Sequence, residues 1–161
     1  MNTAIIAFTL LAAYIVTACI INRSIPDSIS QMVNSLPSSG MWLWSAVMLI
    51  TAALTMPAAL AAASDNTRFL AFLSCISIVF MALTPLVSQT ITMAYHVHMA
   101  TAIISAVTSQ LLVAANCPWL MIGWLPFIVS WYLFSRKNQK FQWKFWAETT
   151  CFILTFAFCL T

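Results

Sequence analysis

His96, His98 and Glu148 are the residues best able to do chemistry in this chain. The histidines are the only two, and Glu148 is the only acidic residue set deep in an apolar run. An imidazole titrates near neutral pH, and a carboxylate held in an apolar span is a default functional candidate. His98 and Glu148 lie at comparable depth in their runs, so they could pair and respond to protons. Glu148 could instead pair locally with Lys144, four residues earlier on the same helix face. On a helix His96 and His98 project about 200° apart and cannot chelate one ion together. With no third histidine and no H-E-x-x-H, the expectation is no metal and no cofactor. No G-x-S-x-G, P-loop or dinucleotide fingerprint occurs either, so no catalytic residue is assigned.

Around His98 lies a polar stripe. His98, Thr101, Ser105, Thr108, Ser109 and Asn116 share one face of a helix about 100° wide. Polar groups facing lipid are costly, so this face should look inward. It forms either a packed seam between helices or the wall of a ligand cavity. Gln110 lies off the stripe and needs a partner of its own.

The elements that must carry these residues follow from composition. Of 161 residues, 63% are hydrophobic and only 6% charged, with a mean hydropathy of +0.97. Soluble domains average about 25% charged residues, so a soluble enzyme, a disordered chain, a nucleic-acid module and a secreted disulfide scaffold are all excluded. A spanning helix needs about 20 apolar residues, and the few charges cut the chain into six such runs. They cover 2–21, 41–63, 69–87, 95–115, 119–134 and 145–160. The expected fold is an all-α, polytopic transmembrane bundle of six spans, forming one domain over 1–161. Kinks are expected at Pro57, Pro85 and Pro126. The alanines after Pro57 suit close helix packing.

Orientation follows the basic residues. Arg23, Arg136, Lys137, Lys140 and Lys144 fall on one side and Arg68 on the other. The segments 23–40 and 136–144 are therefore expected in the cytoplasm, with both termini outside, in a bacterial inner membrane. Trp42, Trp44, Trp131, Tyr132, Trp143 and Trp146 would mark the cytoplasmic interface, and Trp119 the outer one. The first run lacks basic residues at its start and reads as an anchor helix, although Val16-Thr17-Ala18-Cys19 has a lipobox pattern. The five cysteines read as buried thiols, with a Cys117–Cys159 disulfide left open.

Between the first two runs, residues 24–36 predict a short interfacial helix. Ser24 and Asp27 form an S-x-x-D pattern, and Pro26 sits in the first turn. Ile25, Ile29, Met32, Val33 and Leu36 share one stripe about 80° wide. Together with Asp27 they form either a resting connector or a gate over a cytoplasmic opening.

The stretches Ser24-Ile25-Pro26-Asp27-Ser28-Ile29-Ser30 and Tyr95-His96-Val97-His98-Met99-Ala100 stand where six-helix DRAM/FRAG-type membrane proteins have an interfacial stretch and a histidine opening span four. The chain resembles that group in overall organisation. The resemblance implies the six-helix fold and carries over no functional residue. The functional expectation is a non-enzymatic membrane protein that binds or passes a small or lipidic ligand beside span four. Alternatives are an assembly subunit or oligomeric pore former, and an intramembrane enzyme acting on lipid. Expected partners are membrane lipids, with a homo-oligomer or other membrane subunits left open. The basic, aromatic loop 136–144 reads as lipid-facing, and no nucleic acid is expected.

Overall fold

The computed structural model describes residues 3–30, 32, 39–87, 92–137 and 141–161. Within them the fold is all-α. Helix α1 spans Thr3–Asn22, α2 Ser39–Ala62, α3 Arg68–Val87, α4 Thr92–Asn116, α5 Leu125–Arg136 and α6 Trp143–Phe158. Short 3-10 segments cover Asp65–Thr67 and Pro118–Trp124. Among the described residues five helical stretches are long and apolar enough to cross a membrane, the fifth running from Pro118 to Arg136. Helix α6 has 16 residues. At 1.5 Å per residue it reaches about 24 Å, short of the roughly 30 Å hydrocarbon core.

The packing inverts the soluble pattern. Large apolar side chains such as Ile20, Phe69 and Ile122 face outward, while alanines, serines and threonines join larger groups such as Trp44 and Phe158 in the contacts between helices. Helix α1 buries Ala4, Ala7, Leu11, Tyr14 and Ala18. Helix α3 meets α4 across Ser74 and Ser105, whose Oγ atoms lie 3.4 Å apart. Small residues let backbones approach closely, and lipid supplies the apolar surroundings that a soluble core would otherwise provide. The first four helices pack consecutively, and α6 closes the bundle against α4, α1 and α2.

Hydrogen bonds sort the connections to two ends. At one end Asn116 Oδ1 accepts from Ser64 N at 3.0 Å, and Asn116 Nδ2 donates to Thr67 Oγ1 at 3.0 Å. Cys117 Sγ lies 3.6 Å from Thr161 Oγ1 at the same end, so the disulfide to Cys159 left open above is not formed. At the other end Phe145 N donates to Asp27 O at 3.0 Å. Phe141 stacks there on Phe134, centroids 5.2 Å apart. Arg23, Arg136, Lys137 and Lys144 thus share one end, while Lys140 lies outside the described residues. Arg68 sits at the opposite end, 2.9 Å from Asp65.

The fifth span departs from a single α-helix. Pro118 opens a 3-10 stretch, and Pro126 falls in the first turn of α5, where its missing N–H leaves no bond unmade. Pro126 therefore starts a helix rather than kinking one. Pro57 and Pro85 lie inside α2 and α3 as expected. Gly123 lets this stretch press on α6. A Cβ there would lie 2.5 Å from Leu154 Cδ2.

The first half of the expected helix over 24–36 is not helical. Residues 24–30 run as bends and turns, with Met32 helical; residues 31 and 33–36, including Val33 and Leu36, lie outside the described residues. Three local facts explain the difference. Arg23 adopts φ 51°, which turns the chain sharply out of α1. Ser24 Oγ donates backward to Asn22 O at 3.2 Å, so it does not cap a following helix. The carbonyl of Asp27 and the N–H of Ile29 are taken by α6. Tertiary hydrogen bonds have replaced the local ladder.

Candidate functional site

A cavity of about 390 Å³ opens between α4 and α6, backed by α2 and α3. Its floor on α2 is Trp44, Met48, Thr51 and Thr55, spaced i, i+4, i+7, i+11 on one helical face. Ser74 and Cys75 contribute from α3, Ser105 and Ser109 from α4, and Glu148, Cys151 and Thr155 from α6. Ile29 and Ser30 close the basic end. Eleven residues of α2 separate Trp44 from Thr55, so the cavity extends about 16 Å along the bundle. Ligand sites are typically apolar clefts of about 300–1,000 Å³ with a few placed polar groups, and this cavity falls within that range.

Most hydroxyls on the helices satisfy themselves. Thr101 Oγ1 donates to Val97 O at 2.8 Å, Thr108 Oγ1 to Ile104 O at 2.7 Å and Ser109 Oγ to Ala106 O at 3.0 Å. The α2 groups behave differently. Trp44 Nε1, Thr51 Oγ1 and Thr55 Oγ1 are buried and find no hydrogen-bond partner among the described residues. Unsatisfied buried polar atoms cost about 1–3 kcal/mol each, so three along one cavity wall require a reason.

Glu148 joins the cavity to its cover. Its Oε2 accepts from Ile29 N at 2.6 Å, and the carboxylate also takes the N–H of Ser30. Among the described residues Glu148 makes no direct salt bridge with either candidate partner, His98 or Lys144, although the charge of Lys144 acts on its carboxylate. The Lys144 ammonium sits 5.7 Å from the centroid of the Trp143 ring. Glu148 instead fastens the 27–30 segment over the cavity, 119 residues away in sequence. Ile29 and Met32 of the gate candidates are buried; Ile25 and Asp27 are exposed.

His98 faces the contact between α3 and α4. Its Nδ1 lies 2.9 Å from Thr84 Oγ1 and 3.3 Å from Met81 O. Because Thr84 already donates to Met81 O at 2.7 Å, Thr84 is the acceptor and Nδ1 carries the proton. The ring also lies 6.0 Å from that of Trp44. His98 therefore supports the cavity wall from behind. His96 is exposed, its ring 5.8 Å from Tyr95.

Of the stripe on span four, Ser105 and Ser109 line the cavity, and Thr101 and Thr108 are spent on their own helix. Asn116 holds the far-end turns together. The stripe is seam at its ends and cavity wall at its centre. Gln110 has its expected partners: Oε1 accepts from Trp124 Nε1 at 3.0 Å, and Nε2 donates to Cys151 O at 3.3 Å. Trp44, expected at the interface, is fully buried. Thr51 and Thr55 were missed because a hydroxyl in an apolar run ordinarily bonds to its own helix. Their spacing with Trp44 and Met48 was the available signal. Among the described residues no three of His, Cys, Asp and Glu gather as metal ligands.

Comparison with known families, curated proteins and solved structures gives no match. Function is read from the site itself.

Proposed function

We propose that this multi-pass membrane protein binds one small amphipathic or lipidic ligand in the cavity between α4 and α6. The observation that carries this reading is the apolar cavity of about 390 Å³ with Trp44 Nε1, Thr51 Oγ1 and Thr55 Oγ1 unpartnered along its floor. These groups suit a ligand bearing hydrogen-bond acceptors, because binding would satisfy donors that the fold leaves unmet. Binding fits better than passage. The lining stops at Thr55, Thr155 and Phe156, and the turns beyond are tied together by Asn116.

Substituting Ala147→Trp on the cavity wall tests the proposal. Native mass spectrometry in non-ionic detergent should find one dodecanol per wild-type chain and none on the variant. Equal binding by both proteins would refute the site. A second reading, an assembly subunit, draws on one observation: of the spanning stretch Pro118–Arg136 only Leu120 is buried within the chain. Under that reading Ala147→Trp leaves the oligomeric state and dodecanol binding alike unchanged.

We further propose that the end bearing Arg23, Arg136, Lys137 and Lys144 faces the cytoplasm of a bacterial inner membrane, following the positive-inside rule. With the native cysteines replaced by serine, Ser24→Cys should react with an impermeant maleimide only after the cells are opened. Labelling of intact cells at Ser24→Cys would reverse the orientation.

A further inference from the structure

We infer that the ligand of this cavity is an uncharged, membrane-dissolved lipid with hydrogen-bond acceptors at two levels, one for the indole N–H of Trp44 and one for the hydroxyls of Thr51 and Thr55. This inference rests on the cavity being a binding site. It follows from the three unmet donors, their spacing along α2 and the balanced charge of the wall.

On α6 the hydroxyls close onto their own backbone. Thr149, Thr150 and Thr155 each donate to the carbonyl four residues earlier at 2.8 Å. Thr51 and Thr55 find no partner among the described residues, and neither does Trp44 Nε1. All three side chains are more than nine-tenths buried at the cavity wall. An indole N–H can only donate, so whatever meets Trp44 must be an acceptor. Thr51 and Thr55 are one turn apart, their Cβ atoms about 5–6 Å from each other. One carbonyl oxygen, with two lone pairs, can therefore accept from both hydroxyls. Two carbonyls then satisfy three donors. At 1.5 Å per residue, Trp44 lies about 10 Å along α2 from Thr51 and about 16 Å from Thr55. The two acceptors are spaced accordingly, with an apolar body between them against Met48, Ile78 and Met81.

The wall calls for no charge on the ligand. Lys144 and Glu148 both line the cavity, one turn apart on α6, and the ammonium acts on the carboxylate. They are the lining's one basic and one acidic residue, so the wall is neutral as a whole. A charged ligand would gain from one of them, lose to the other and still bear its own desolvation cost. The mouth favours the same class. Met99 and Ile103 of α4 and Trp143 of α6 line the cavity and are also exposed on the outer surface. Ile29, by contrast, is buried where it closes the basic end. Entry between α4 and α6 is thus from hydrocarbon, which an uncharged molecule crosses at least cost.

Three probes of one chain length test the acceptor spacing by native mass spectrometry in non-ionic detergent: a wide dione, a narrow dione and a monoketone. In the wide dione, 2,12-tridecanedione, a zigzag of C–C bonds sets the carbonyls about 13 Å apart on one side of the chain. In its isomer 2,6-tridecanedione they are about 5 Å apart, and 2-tridecanone has one carbonyl. The wild type should bind the wide dione at least about tenfold more tightly than either other probe, the equivalent of about 1.4 kcal/mol. Trp44→Phe should remove that advantage, and so should Thr51→Val combined with Thr55→Val, whose side chains keep the same shape. Ala147→Trp should abolish binding of all three. If the probes bind equally in the wild type and Ala147→Trp removes them, the cavity stands and the two-level acceptor is refuted. Tighter binding of the narrow dione refutes it as well, and so does an advantage that survives in both donor variants. If no probe is sensitive to Ala147→Trp, the binding reading itself falls. The wild-type comparison decides the matter even should Trp44→Phe fail to fold.

Discussion

Replacing Glu148 by alanine is expected to release the 27–30 segment from the bundle. Two backbone N–H groups lose their acceptor, one of them in a bond of 2.6 Å. Hydrogen bonds to charged groups contribute about 1.5–3 kcal/mol each, so amide exchange at Ile29 should accelerate by about tenfold to a hundredfold. Asp27 O should keep its bond to Phe145 N, because that contact needs only the α6 backbone. The loosening should therefore centre on Ile29 and Ser30, with exchange in the centre of α4 unchanged. Glu148→Gln should keep most of the protection, since its amide oxygen still accepts. Unchanged exchange at Ile29 in Glu148→Ala would mean that the carboxylate does not hold the cover in place.

The second large effect is expected at His98. Removing its ring withdraws a donor from Thr84 and Met81 and opens space beside Trp44. The lost hydrogen bond and the void together should cost about 2–3 kcal/mol in His98→Ala. For a chain of this size that corresponds to a fall in unfolding midpoint of about 4–12 °C. His98→Asn keeps a donor near Nδ1 and should recover part of the loss. A proton sensor would behave otherwise: the midpoint would stay near that of the wild type while the pH dependence of function disappeared. Thermal unfolding in detergent, read by near-ultraviolet circular dichroism, separates these outcomes.

The six apolar runs were legible because lipid imposes its requirement on each helix separately. A span must be apolar whichever neighbours it finds, so 2–21 and 69–87 anticipate Thr3–Asn22 and Arg68–Val87 closely. The division of Pro118–Arg136 into a 3-10 stretch and a helix was less legible, although Pro118, Gly123 and Pro126 all mark it. What failed was local reasoning about groups whose partners are remote. The 24–36 stripe has good helical spacing, yet Ile29 N–H finds a better acceptor in Glu148. The same contact explains why the partner of Glu148 could not be read from its own helix.

The candidate site divides in the same way. Ser105, Ser109 and Glu148 were named from residue type and spacing, and all three line the cavity. His98 was singled out correctly as an inward group, but its work is to join α3 and α4 behind Trp44. Trp44, expected at the interface because tryptophans near helix ends usually sit there, is packed inside the bundle. Its burial, with Thr51 and Thr55 below it, turns a face of α2 into the cavity floor.

The most direct test is anomalous diffraction from crystals grown with omega-bromododecanol. Bromine density is expected inside the bundle, between Thr51 or Thr55 of α2 and Ser105 or Ser109 of α4. Bromine found only on the outer faces of α1 or α5, with the space beside Thr51 filled by rearranged side chains, would contradict the cavity as a binding site.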